Sequence, residues 1–168
     1  DTAKFNPAAA NVDRVAALRR AWGLLPQMRV VLIPGRIAPW NGQMSMIDAA
    51  RLMVAGGDRN IAFVFVGEDR GQTRYRNALK RRAREHGIET LIRFVGHFPD
   101  MPTALAAADV VVIPSLEPPL SGRVAGEAQA LGRPVVAASV GALPDNVLCP
   151  PRMRDELRTG WLVRPGNV

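Results

Sequence analysis

Short apolar runs recur along the chain with helical stretches between them. Residues 30–34 (VVLIP), 61–66 (IAFVFV), 91–95, 110–113 and 135–138 are five such runs, and 161–163 is a shorter sixth. Runs rich in Val and Ile suit strands that are covered on both faces. Between them Met46, Ala50 and Met53 recur at spacings of four and three, with Ile47 and Val54 beside them. Tyr75, Leu79, Ala83 and His86 repeat the pattern, and residues 104–108 and 124–131 are shorter helical candidates. Strand and helix alternating about five times predicts an α/β domain built on a doubly wound parallel sheet.

That architecture directs attention to particular loops. In an open parallel sheet, ligands bind just beyond the carboxyl ends of the strands. Four runs end in Gly or Pro, and the text after them reads GRIAPWNGQ, GEDRGQ, GHFPDM and SLEPPLSGRVAGE. Arg36, directly after the first run, is suited to clamp a phosphate with paired hydrogen bonds, or simply to cap a helix or lie on the surface. Gly42 opens a helix whose free N–H groups are suited to an anion. Gly122, Arg123 and Val124 begin another helix, and glycine there lets backbone approach a ligand. Glu127, one turn in, is placed either to accept hydroxyl hydrogen bonds or to serve helix-terminus electrostatics.

Composition narrows the field. An apolar content of 48% over 168 residues is enough for a real core, which excludes a disordered chain. No run approaches the ~18 apolar residues of a membrane span. The net charge is +7, carried almost wholly by Arg, with Lys4 and Lys80 the only lysines. Such a balance reflects base composition or an attraction to phosphorylated ligands, anionic membrane or nucleic acid. Seven of the basic residues fall between Arg70 and Arg84. A solvated helix face is the simplest account of them, followed by anionic membrane; without aromatic stacking residues, nucleic acid comes last.

Several chemistries drop out. The single cysteine, Cys149, excludes an intrachain disulfide framework and fits a reducing compartment. GxGxxG and GxxxxGK[ST] are both absent. His86 and His97 lack partners at metal-ligand spacing, and Ser115 and Ser139 lack a GxSxG setting. His86 fits a helix end, whereas His97 follows a strand-end glycine.

Taken in order, these segments resemble the C-terminal domain of retaining GT-B glycosyltransferases of family 4, the group 1 type. The resemblance runs through VLIPGRIAPWNGQ, FVFVGEDRG, IRFVGHFPDMPTALAAADVVVIPS, GRVAGEAQALGRPVVAASVGALPDNV and GWLVRPGN, nearly the whole chain. It implies a Rossmann-like domain that binds a nucleotide-diphosphate sugar. Residues 1–26 would be linker and leading helix, and 27–168 the donor domain. Arg36, after Gly35, matches the basic residue that holds the donor diphosphate. Gly122, Arg123 and Val124 match the loop and helix start facing it. Glu127 matches the second acid of an E-x7-E motif, which accepts the ribose hydroxyls. Val95, Gly96 and His97 form the turn where the base packs, and Gly67 and Glu68 line the same cleft.

Two departures stand out. The family's second cation, a Lys before Gly42, is Asn41 here, and the first acid of E-x7-E falls on Pro119. Glu117, two residues away, is the remaining candidate for the catalytic, sugar-facing acid. The family's aromatic-glycine step is Ser121-Gly122. The resemblance implies transfer with retention and no metal or other cofactor. It also implies an acceptor glycan or lipid bound by a preceding domain, a role in cell-envelope polysaccharide synthesis, and a cytoplasmic enzyme in peripheral contact with the inner membrane. Nucleic acid is not an expected partner. The alternative, motivated by Asn41 and Pro119, is a degenerate module that binds nucleotide sugar without turnover.

Overall fold

The computed structural model describes residues 4–7, 10–119 and 122–168. Its strands are β1 (Arg29–Pro34), β2 (Ile61–Val66), β3 (Ile92–Gly96), β4 (Val110–Ile113), β5 (Val135–Ala138) and β6 (Gly160–Val163). They form one sheet in the order β3-β2-β1-β4-β5-β6, and every pairing is parallel. All six apolar runs are therefore strands of a Rossmann-like sheet. The third begins one residue later than its apolar pattern, because Leu91 closes a 3-10 turn over Glu89–Leu91. The chain order reverses between β1 and β4, which opens a crevice at their carboxyl ends.

Among the described residues six α-helices accompany the strands: α1 (Val12–Ala21), α2 (Gln43–Ala55), α3 (Thr73–Glu85), α4 (Met101–Ala106), α5 (Arg123–Ala130) and α6 (Leu143–Asn146). Successive strand residues point to opposite faces, so β1, β2, β3 and β4 feed two cores, while β5 and β6 feed one. Val30, Leu32, Val64 and Val111 pack on one face with Leu18 of α1, Leu105 of α4, Ala128 of α5 and Leu143 of α6. Val31, Ile33, Phe63 and Phe65 pack on the other with Met46 and Ile47 of α2 and Leu79 and Ala83 of α3. Double coverage is why these strands read as continuous apolar text. Each fully buried side chain of this size contributes about 1.5–3 kcal/mol. Beside α2 the sheet also carries an apolar groove of about 390 Å³, lined by Met53, Val110, Val112 and Val136.

The leading helix is tied to the same core. Asn11 caps α1 by accepting from the Arg14 N–H at 3.0 Å. Arg19 donates to the Ala107 carbonyl at 2.9 Å and to that of Met28. Trp22, just past the helix, meets Phe98 edge-on at 6.0 Å between ring centroids. That contact supports the loop after β3 from behind. No helix among the described residues is long and apolar enough to cross a membrane.

Candidate functional site

The strand-end loops are stitched together in sheet order. The Gly35 N–H donates to the Val66 carbonyl at 2.9 Å, and the Gly67 N–H to the Gly96 carbonyl at 2.8 Å. Ile37 N–H then donates to the Glu68 carbonyl at 2.9 Å. Gly67 sits at φ 157°, and a Cβ there would collide with the Gly35 carbonyl. Only glycine lets the two turns approach this closely. The result is a cleft of about 310 Å³ at the carboxyl ends of β1, β2 and β3. Backbone at Gly35 and Gly67 forms its floor, Phe98, Met101 and Val124 its apolar side, and Arg36, Glu68, Arg70 and His97 its charged rim.

The Arg36 loop is fixed from below. Gln43 is 1% exposed. Its amide donates to the Arg36 carbonyl at 2.8 Å and accepts from the Ala38 N–H at 3.4 Å. Asn41 donates to the same Arg36 carbonyl at 2.7 Å. Among the described residues the Arg36 guanidinium itself makes no hydrogen bond or ion pair, and it lies exposed at the cleft. Gly42 takes the left-handed φ of 70° that ends the 3-10 turn Pro39–Asn41 and starts α2. A Cβ at Gly42 would strike the Pro114 carbonyl, so the α2 terminus is seated against the end of β4.

On the rim, Arg70 pairs with Glu68 at 2.8 Å. The Arg70 hydrogen bond holds the Glu68 carboxyl below its ordinary range. Desolvation opposes it, and the charges of Arg70, His97 and Arg36 reinforce it. The rim is thus three basic side chains around one carboxylate.

Of the residues singled out in the sequence, Gly35, Arg36, Gly67, Glu68, His97 and Val124 come together on this cleft. The others lie around it. Val95 turns its side chain into the core, while the Gly96 carbonyl is bound by Gly67. Gly122 caps α5 and is buried; Arg123 is exposed and reaches Glu127 at 3.5 Å. Glu127 is partly buried, one turn below Val124 on the same helix face. Glu117 belongs to the loop after β4, which is clipped to the loop after β1: Leu116 and Glu117 N–H groups both donate to the Trp40 carbonyl, at 2.8 and 3.3 Å. Ser121 lies outside the described residues. Among those described, no cluster of three His, Cys, Asp or Glu side chains is placed to hold a metal ion.

Two contributors escape a reading of the sequence. Gln43 carries no signal, since a glutamine at a helix start is ordinary. Arg70 had one, because it falls in the strand-end text GEDRGQ, but its membership of the basic run 70–84 masked it. Other residues of that run point elsewhere: Arg82, with the adjoining His86, pairs with Asp48 of α2 at 2.8 and 2.9 Å, and Arg81 with Glu85. His86 does end its helix.

Residues 28–168 match the family described as Glycosyl transferases group 1. The chain is 37% identical over 129 residues to the D-inositol 3-phosphate glycosyltransferase of Corynebacterium glutamicum (strain R), covering 75% of this chain and 31% of that protein. It is 39% identical over 140 residues to the protein of that name from Mycobacterium tuberculosis (strain F11), covering 79% and 27%. The chain spans about a third of the length of such relatives. Among solved structures it is similar to Anabaena Alr3699/HepE in complex with UDP and glucose, with TM-score 0.83, 29% identity, and coverage of 99% of this chain and 41% of that one. It is also similar to the C-terminal domain of the glycosyl transferase group 1 family protein LpcC from Francisella tularensis, with TM-score 0.76, 26% identity, and coverage of 98% and 80%.

Proposed function

Because the chain belongs to the group 1 glycosyltransferases, we propose that it is the donor-binding domain of an enzyme that transfers a sugar, with retention, from a nucleotide-diphosphate sugar. The observation that carries this reading is Arg36. Its backbone is locked by Gln43 and Asn41, and its guanidinium stands over a glycine-floored cleft with no partner among the described residues. Such a site suits a diphosphate, and UDP is the ligand in the Anabaena complex.

In this reading negative charge builds on the leaving diphosphate as the glycosidic bond breaks. Arg36 and the N-termini of α2 and α5 stabilise it, so no metal is called on. Glu127 takes the ribose hydroxyls, the turn at Val95, Gly96 and His97 receives the base, and Glu117 faces the sugar from the clipped β4 loop. The acceptor, a glycan or lipid, is bound by a further domain of a cytoplasmic enzyme that touches the membrane peripherally during envelope polysaccharide synthesis. The test is calorimetry with UDP, GDP and ADP. The isolated chain has half a cleft, so one of the three should bind with a Kd of ~10 µM–1 mM, roughly 4–7 kcal/mol. No heat from any of them on a folded sample overturns the reading.

A second reading, a binder without turnover, draws support from Asn41. Its amide is spent on the Arg36 carbonyl at the position where the resemblance asks for a cation. Full-length protein that binds a nucleoside diphosphate yet neither hydrolyses nor transfers from any donor would establish it.

A further inference from the structure

The resemblance asks for a second cation at position 41, where this chain has Asn, and the cleft holds a second arginine on the neighbouring loop. Arg70 lines the same cleft as Arg36. Its backbone sits at φ 37°, in the left-handed region, and it is the one non-glycine residue with positive φ among those described. Glycine would occupy that turn without strain. An arginine kept in such a conformation is over-determined by its surroundings, and such positions cluster at ligand sites. The next residue, Gly71, supplies the rest of the turn at φ 89°.

What Arg70 holds is equally informative. Its partner, Glu68, is the only carboxylate on the cleft rim among the described residues and lies within the field of Arg36 and His97. The two side chains of the pair are 65% and 42% exposed. An ion pair so exposed is weak and exchanges readily for a more highly charged anion. A diphosphate carries more charge than one carboxylate and offers paired oxygens that the planar fork of a guanidinium grips with two hydrogen bonds.

We propose that Arg70 is the second diphosphate-binding cation of this cleft, taking the place of the absent lysine at Asn41, and that Glu68 occupies it as a stand-in anion until a nucleoside diphosphate displaces that carboxylate. The inference rests on the reading of the cleft as a donor site. Glu68 in this account sets affinity: it competes with the ligand for Arg70, and it keeps the empty rim from presenting two unopposed guanidinium groups.

The experiment is calorimetric titration of the full-length protein with inorganic pyrophosphate, with the nucleoside diphosphate it prefers among UDP, GDP and ADP, and with the matching nucleoside. Arg70→Gly suits the turn, so its thermal unfolding should match or exceed that of wild type. It is expected to weaken both phosphate ligands about tenfold and to leave the nucleoside unchanged. Arg70→Lys should retain part of the affinity. Glu68→Gln removes the competitor and should tighten both phosphate ligands several-fold. Wild-type affinity for pyrophosphate in Arg70→Gly, or unchanged or weakened binding in Glu68→Gln, overturns the proposal while leaving the donor reading intact. A folded wild type that binds no nucleoside diphosphate overturns both.

Discussion

The side-chain amide of Asn41 donates to the backbone carbonyl of Arg36 at 2.7 Å, so Asn41 braces the loop that carries Arg36. Gln43 braces the same oxygen from the buried side and also satisfies the Ala38 N–H. Ala38 is fully buried, so Gln43→Leu strands that N–H without a partner. The expected cost is about 1–3 kcal/mol, read from the urea midpoint. Diphosphate affinity should fall several-fold as the Arg36 loop loosens. Lower stability with unchanged affinity would uncouple the brace from the site. Asn41→Ala, which removes only the outer bond, should cost about 1 kcal/mol or less.

The sheet was legible in the sequence because double burial writes its central strands, β1 and β2 above all, as apolar runs. Gly35, Gly67, Arg36 and His97 were legible because the loops after such runs collect at one end. What could not be read was how loops meet across the fold. The pairing of Glu68 with Arg70 depends on a left-handed backbone that no local pattern announces. The brace at Gln43 depends on where a helix start is pressed against the end of β4. The clip from Glu117 to the Trp40 carbonyl joins loops more than seventy residues apart and runs through backbone, which sequence pattern does not specify.

Gly67 and Gly126 should respond to alanine in opposite directions. At Gly67 the left-handed φ and the Gly35 carbonyl leave no room for a Cβ. The β1 and β2 turns would have to part, at a cost of roughly 2 kcal/mol or more. Gly126 lies inside α5, is exposed, and has open space where a Cβ would go. Gly126→Ala should stabilise by about 0.5–1 kcal/mol. Paired thermal melts decide the matter, and a neutral Gly67→Ala would refute the close approach of the two turns.

The acid limb of stability should depend on Asp48. Burial pushes its carboxyl up, but hydrogen bonds from Arg82 and His86, with their charges, outweigh burial and leave it below its ordinary value of 3.8. A carboxyl depressed in the folded state adds stability that is complete above its unfolded value and is lost as pH falls through the lower folded one. Stability should therefore decline below about pH 4. Asp48→Asn should cost about 1 kcal/mol at neutral pH and flatten that decline, since the pair is partly exposed. Denaturant midpoints between pH 2 and 7 provide the measurement, and parallel curves for the two proteins would remove Asp48 from the account.

Substitution of Glu127 should distinguish a contact with the ribose from a contact with the phosphates. Glu127 stands three residues after Val124, which lines the cleft, so both occupy one face of α5 with the carboxylate a turn deeper. Its partner Arg123 is 78% exposed and sits at 3.5 Å, a pair worth about 1 kcal/mol or less. The fold therefore makes little demand on this carboxylate, and Glu127→Ala should remain folded. If the carboxylate accepts ribose hydroxyls, that substitution should weaken a nucleoside diphosphate by roughly 1.5–3 kcal/mol, the range for hydrogen bonds to a charged group. Inorganic pyrophosphate has no ribose and should bind the variant as it binds wild type. A 2′-deoxy analogue should already bind wild type more weakly and lose less on substitution, because one of the two hydroxyl contacts is gone from the start. Titrating the three ligands into both proteins yields a double-mutant cycle across the contact. Equal losses for pyrophosphate and nucleotide would assign Glu127 to helix-terminus electrostatics instead, acting on the phosphates through the start of α5.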